Sequence, residues 1–165
     1  MNKPLNVLFL CTHNSARSIL AEAVLNHIGG ARFKAYSAGS SPRENQQPNP
    51  LGLQVLREAG IETAYLSSKS WDDFALPTAP QMDVIITVCD NAAGEVCPYW
   101  PGKPASAHWG YADPSAGDAP DAVKLAAFKQ TLHAIRRRLD LLVNLPDDKL
   151  AAMTIAQTVK GLANS

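Results

Sequence analysis

The chain has 165 residues, 46% of them hydrophobic, with 15 basic and 15 acidic side chains in balance. That length supports one well-buried domain, taken here as 1–165, and is short for two; the charge balance offers no surface to nucleic acid or to a membrane. Three cysteines do not make a secreted disulfide framework, so a reduced, soluble, cytoplasmic protein is expected.

Leu5 to Leu10 reads as a first strand, too short an apolar stretch for a signal h-region or a membrane span. From Ser18, the spacing of Leu20, Val24 and Ile28 by fours predicts a helix with one apolar face, ended by Gly29-Gly30. Phe33 to Ala38 reads as a second strand, with Gly39 and Pro42 opening a loop. Asn49-Pro50 starts a helix that runs through Leu53 and Leu56 to Gly60, because Asn caps and Pro fits the first turn. Val84 to Val88 is a continuous β-branched run, the pattern of a strand covered on both faces. A Pro-, Gly- and Ala-rich segment spans 90–106, and a short strand is expected just before His108. Leu125, Phe128, Leu132, Ile135, Leu139 and Leu142 then alternate by three and four. This stripe suits packing on the protein's own sheet, with a dimer seam as the alternative; a monomer is expected. Pro146 stops that helix, and a last one is expected over about 147–162. Strands alternating with helices predict an α/β fold, a parallel sheet with helices on both faces.

In such folds ligands sit at the carboxyl ends of the strands, where this chain carries Cys11-Thr12-His13-Asn14-Ser15-Ala16-Arg17-Ser18. A strand-to-helix turn gathers backbone N–H groups and the positive end of the helix dipole into a concave anion site. The same field stabilises a thiolate, so the loop both binds a tetrahedral oxyanion and arms a nucleophile against its central atom. A bare Cys-x5-Arg is weak evidence, and the bland alternative is a structural cysteine at a strand end. Asn14 sharpens it, being one of the few non-glycine types that tolerate a left-handed backbone. Ser18 can donate to the Cys11 sulfur and favour its charged form. The planar guanidinium of Arg17 matches two oxygens of an oxyanion at once. Asp113, restricted by Pro114, is a candidate general acid, with an ordinary turn residue as the alternative.

These segments resemble the low-molecular-weight protein tyrosine phosphatase superfamily and, within it, the thioredoxin-type arsenate reductases. The resemblance rests on the Cys11–Ser18 run, Tyr36-Ser37-Ala38-Gly39, Val88-Cys89-Asp90, Cys97-Pro98, and His108-Trp109-Gly110 followed by Asp113-Pro114. It covers roughly residues 5–143, which makes the helix expected at 147–162 an addition. It implies a four-stranded parallel sheet flanked by helices, with Cys11, Arg17, Cys89, Cys97 and Asp113 as catalytic residues. Thr12, His13, Asn14, Ser15, Ala16, Arg17 and Ser18 then bind the oxyanion and stabilise the thiolate.

Phosphatases of this family typically carry aromatic residues after the Asp-Pro, where Ser115 and Ala116 stand here. A second cysteine just before the arginine, present in many relatives, is replaced by Ala16. Cys89 and Cys97 are superfluous to hydrolysis, whereas a two-electron reduction needs thiols in series; simple burial is their bland alternative. The resemblance therefore implies arsenate reduction through a Cys11–Cys89–Cys97 disulfide relay. Phosphate or sulfate would mimic the substrate, no cofactor would be bound, and thioredoxin, or glutathione with glutaredoxin, would supply electrons. A phosphomonoester phosphatase and a phosphocysteine carrier are the competing readings.

Asn14, Glu22 and Ser37 match positions that hold a potassium ion in some relatives. The acidic fourth position falls near Ser70, with Lys69 beside it, so a lysine ammonium in place of the cation, or no ion, is expected, and no required metal. His108 and Trp109 read as packing residues, His27 and His133 as helix-surface residues.

Overall fold

Strand β1 (Leu5–Cys11) lies at the centre of the protein because it is apolar on both sides of its pleat. The computed structural model describes residues 4–40, 44–76, 78–88, 105–115 and 117–146. Strands β2 (Phe33–Gly39), β3 (Val84–Thr87) and β4 (Ala105–His108) complete a sheet of order β2-β1-β3-β4. All its pairings are parallel, with Cys11 opposite Gly39 and Leu10 opposite Thr87. The expected α/β architecture is borne out.

Period-two alternation divides the core. Val7, Phe9 and Cys11 join Phe33, Ala35, Val84 and Ile86 in the larger cluster, whereas Leu8, Leu10, Ala38 and Ile85 face the other way. Burying a side chain of this size fully is worth about 1.5–3 kcal/mol, and a one-residue slip of β1 would exchange the two sets.

Helices α1 (Arg17–Ile28), α2 (Pro50–Glu58) and α3 (Asp121–Val143) cover the larger cluster. Among the described residues the opposite face is covered by a 3₁₀ turn, Trp71–Phe74, together with Met82. The sequence reading gave α1 a single apolar face, yet every residue from Ser18 to Leu25 is buried. The reason is placement: α1 packs on the sheet and on both other helices, so no side remains for solvent over its first two turns. The α3 stripe behaves as expected, with Phe128, Leu132, Ile135, Leu139 and Leu142 buried in the protein's own core. Asn49 caps α2 through its side-chain oxygen, which accepts from the Leu51 amide at 2.9 Å. No described helix is long and apolar enough to cross a membrane. Cys89, Cys97, Ala116 and the expected helix at 147–162 lie outside the described residues.

Candidate active site

The turn from β1 into α1 begins at Cys11 and must fold back over the sheet edge. Asn14 takes φ +54°, the left-handed conformation its amide side chain tolerates. The carboxyl end of β2 supports the turn from below. A Cβ on Gly39 would stand 2.7 Å from the Thr12 carbonyl oxygen and 3.0 Å from the Asn14 nitrogen, so only glycine lets the loop descend this far. Ser40 donates its amide to the Cys11 carbonyl at 3.0 Å, and Asn49 donates its amide to the Ser15 carbonyl at 2.8 Å. Two neighbouring segments thus hold the loop by its backbone.

Asn14 fixes it from behind. Its Nδ2 donates to Ser18 Oγ at 2.8 Å and its Oδ1 accepts from the Lys69 amide at 2.8 Å. The Ser68 hydroxyl donates to its carbonyl at 2.6 Å. Both Asn14 and Ser18 are fully buried, so they shape the loop from its inner side and do not line the cavity. With its oxygen accepting from Asn14, Ser18 keeps its hydroxyl proton for another acceptor.

The cavity above the loop measures about 420 Å³ and is lined by Cys11, Thr12, His13, Ser15, Ala16 and Arg17 from the loop and first helical turn. Cys11 is almost entirely buried, yet it contributes to this wall. The N-terminus of α1 carries neither a side-chain cap nor an acidic residue in its first turn, so no acidic group of the helix itself offsets the positive end of its dipole. Arg17 donates from Nη1 to the Tyr111 carbonyl at 2.8 Å, and its Nη2 lies 4.0 Å from Asp113 Oδ2. Asp113 also lines the cavity. Its Oδ1 accepts from the Ser115 amide at 2.9 Å and the Ser115 hydroxyl at 2.7 Å. The turn role and the site role are therefore combined in one carboxylate, one oxygen holding the turn and the other facing the guanidinium.

The remaining wall is formed by Gln46, Gln47, Asn49, Pro50 and Ser115. Nothing in the sequence marks the glutamines, because a loop residue's distance from Cys11 is set by the fold and leaves no local pattern. Asn49-Pro50 carried a signal, read only as a helix start. No Phe, Tyr or Trp lines the cavity among the described residues.

Behind the loop lies a charge pair, its carboxylate buried and its lysine partly exposed. Glu22 accepts from the Ser37 hydroxyl, and Lys69 Nζ stands 3.8 Å from its Oε1. Burial holds the Glu22 carboxyl above its ordinary range, with Lys69 and Ser37 pulling it partly back; burial likewise holds the Lys69 ammonium below its ordinary value. Glu22 is thus no solvated helix residue. A potassium ion does not fit these residues: Asn14 Oδ1 is engaged by the Lys69 amide and Glu22 Oε1 by Ser37 and the Lys69 ammonium. Elsewhere, Trp109 is buried and packs at the sheet end, whereas His108, expected to pack beside it, is exposed and pairs through Nδ1 with Thr87 Oγ1 at 2.7 Å. His27 and His133 are exposed.

Residues 6–153 match the family described as low molecular weight phosphotyrosine protein phosphatase. The chain belongs to this family. It is 34% identical over 139 residues to an arsenate reductase of Halalkalibacterium halodurans, covering 84% of this chain and 94% of that one. Among solved structures it resembles an arsenate reductase from Archaeoglobus fulgidus, with a TM-score of 0.64 and 28% identity over 84% of this chain and 99% of that one. It also resembles a thioredoxin-dependent arsenate reductase of Corynebacterium glutamicum, with a TM-score of 0.55 and 26% identity, spanning 85% of this chain and 64% of that chain. The phosphatase-family loop is thus found here beside relatives named for arsenate chemistry.

Proposed function

We propose that this protein reduces arsenate to arsenite, with Cys11 as nucleophile and the Cys11–Arg17 loop as the oxyanion cradle. The observation that carries the reading is a cavity joining Cys11, Arg17 and Asp113 under a wall of Gln46, Gln47 and Ser115. That wall offers hydrogen bonds to an inorganic oxyanion and no stacking face to a phenyl ring.

Arsenate sits in the loop with two oxygens on the Arg17 guanidinium. The Cys11 thiolate attacks arsenic and an oxygen departs as water, its proton drawn from Asp113. Cys89 then attacks the Cys11 sulfur. The S–As bond breaks, its electron pair stays on arsenic, and As(V) leaves as As(III) while a Cys11–Cys89 disulfide forms. Cys97 attacks Cys89, returns Cys11 as a thiolate and leaves a Cys89–Cys97 disulfide. Two electrons from an external thiol reductant, thioredoxin or glutathione with glutaredoxin, restore the dithiol. Ser18, with its oxygen held by Asn14, donates to the Cys11 sulfur and favours its charged form.

The test is turnover of reduced protein with arsenate and a thioredoxin or glutaredoxin system. Cys11→Ser, Cys89→Ser and Cys97→Ser should each abolish multiple turnover; activity surviving both distal changes would falsify the relay. The phosphatase reading has support in the shared loop, which predicts slow aryl phosphate hydrolysis. Rapid hydrolysis, lost in Cys11→Ser and kept in the distal variants, would establish that reading in place of reduction.

A further inference from the structure

We propose that Arg138, on the distant helix α3, is a positioning residue that sets the oxyanion clamp by fixing Tyr111. The inference rests on the reading of Arg17 as that clamp. Arg138 lies off the buried stripe of α3, and its guanidinium stands 4.9 Å from the Tyr111 ring centroid and 6.0 Å from that of Trp109. Tyr111 is the residue whose carbonyl receives Arg17 Nη1 at 2.8 Å. Its amide donates to the Val88 carbonyl at 3.3 Å, and the Trp109 amide donates to Thr87 at 2.7 Å. The stretch from Trp109 to Asp113 is thereby hung from the end of β3 by its backbone and held under a cation by its rings.

A carbonyl's direction is set by the same backbone torsions that carry its side chain. Holding the Tyr111 ring therefore holds the acceptor that aims Arg17, and two residues later the chain reaches Asp113, 4.0 Å from Arg17 Nη2. Arg138 is absent from the cavity wall, so its influence on a bound anion runs through the Tyr111–Arg17 contact. A cation–π contact that is partly desolvated corresponds to about a tenfold change in an equilibrium constant.

The experiment measures the Kd of inorganic phosphate for the reduced full-length protein, by calorimetry, in Arg138→Met, Arg17→Lys and the double variant. KM and kcat for arsenate are measured alongside. Arg138→Met should weaken phosphate about tenfold and raise KM by a similar factor, with kcat changed less than about threefold. In the Arg17→Lys background the same change should cost less than about twofold, because its target is gone. Unchanged phosphate affinity in a folded Arg138→Met protein would overturn the proposal. So would losses that multiply in the double variant, since Arg138 would then act as an independent charge. Should Arg138→Met not fold, Tyr111→Leu takes its place, with the same expected loss and the same silence beside Arg17→Lys. Phosphate binding that survives Arg17→Lys intact would instead overturn the clamp on which the proposal rests.

Discussion

At the scale of single residues, the loop depends on atoms that are absent as much as on those present. Gly39→Ala places a methyl against the backbone of Thr12 and His13, at 2.7 and 2.9 Å, and backbone cannot swing aside. The substitution is expected to cost about 1–3 kcal/mol of stability and to raise KM for arsenate at least tenfold by lifting the cradle, measured by thermal unfolding and steady-state kinetics. The Glu22–Lys69 pair makes a different prediction. A carboxyl with a raised folded value favours folding most below its ordinary 4.5 and loses that contribution as pH rises through the raised value. A lysine with a lowered value contributes fully above its ordinary 10.5 and loses that contribution as pH falls through the lowered one. Burial opposes the charged form of both groups while each favours the other's charge, so the pair orders the segment behind the loop more than it stabilises the fold. Lys69→Met leaves the Glu22 carboxylate buried beside no cation. Its stability deficit should reach about 2–3 kcal/mol at alkaline pH and shrink as falling pH lets Glu22 take up a proton. Glu22→Gln with Lys69→Met should recover most of it. A deficit that does not vary with pH would contradict this account of the pair.

Among the elements, β1 and α3 were legible because their patterns are local: alternation in one, a three-four stripe in the other. Asn49-Pro50 announced α2 by cap chemistry, and Asn14 announced the turn by its tolerance of positive φ. The surroundings of α1 were not legible, since burial on all sides is decided by what packs there. Nor was the fastening of α3 at its far end. Arg32, just before β2, donates to the Val143 carbonyl at 2.8 Å and the Leu145 carbonyl at 2.7 Å. Val143 is the last residue of the helix, so its carbonyl is one that a helix end leaves without an intrahelical partner, and Leu145 lies just beyond; Arg32 is more than a hundred residues away in sequence from both. Arg32→Met should lower stability by about 1–2 kcal/mol while leaving KM and kcat for arsenate within about twofold, a separation that unfolding and kinetic measurements read directly. Loss of activity in step with stability would mean that this end of α3 reaches the site.

For the molecule as a whole, the parallel order β2-β1-β3-β4 brings the carboxyl ends of the strands together. One end thereby presents the thiol, the guanidinium and the acid from residues separated by about a hundred positions in sequence. The chemistry-bearing residues could be named from motifs, because Cys11, Arg17 and Asp113 sit in runs of recognisable composition. The wall of Gln46 and Gln47, the Gly39 contact and the Tyr111 carbonyl could not, because each acquires its meaning only from a neighbour supplied by the fold. The central claim is that Cys11 delivers two electrons from paired thiols to an oxyanion held in this cavity. A single turnover without external reductant tests it most directly, with arsenite and free thiols counted together. The account predicts about one arsenite per protein, two thiols lost with it, and neither change in Cys11→Ser. Arsenate left unreduced while all three thiols remain, in a protein that readily cleaves aryl phosphates, would contradict it.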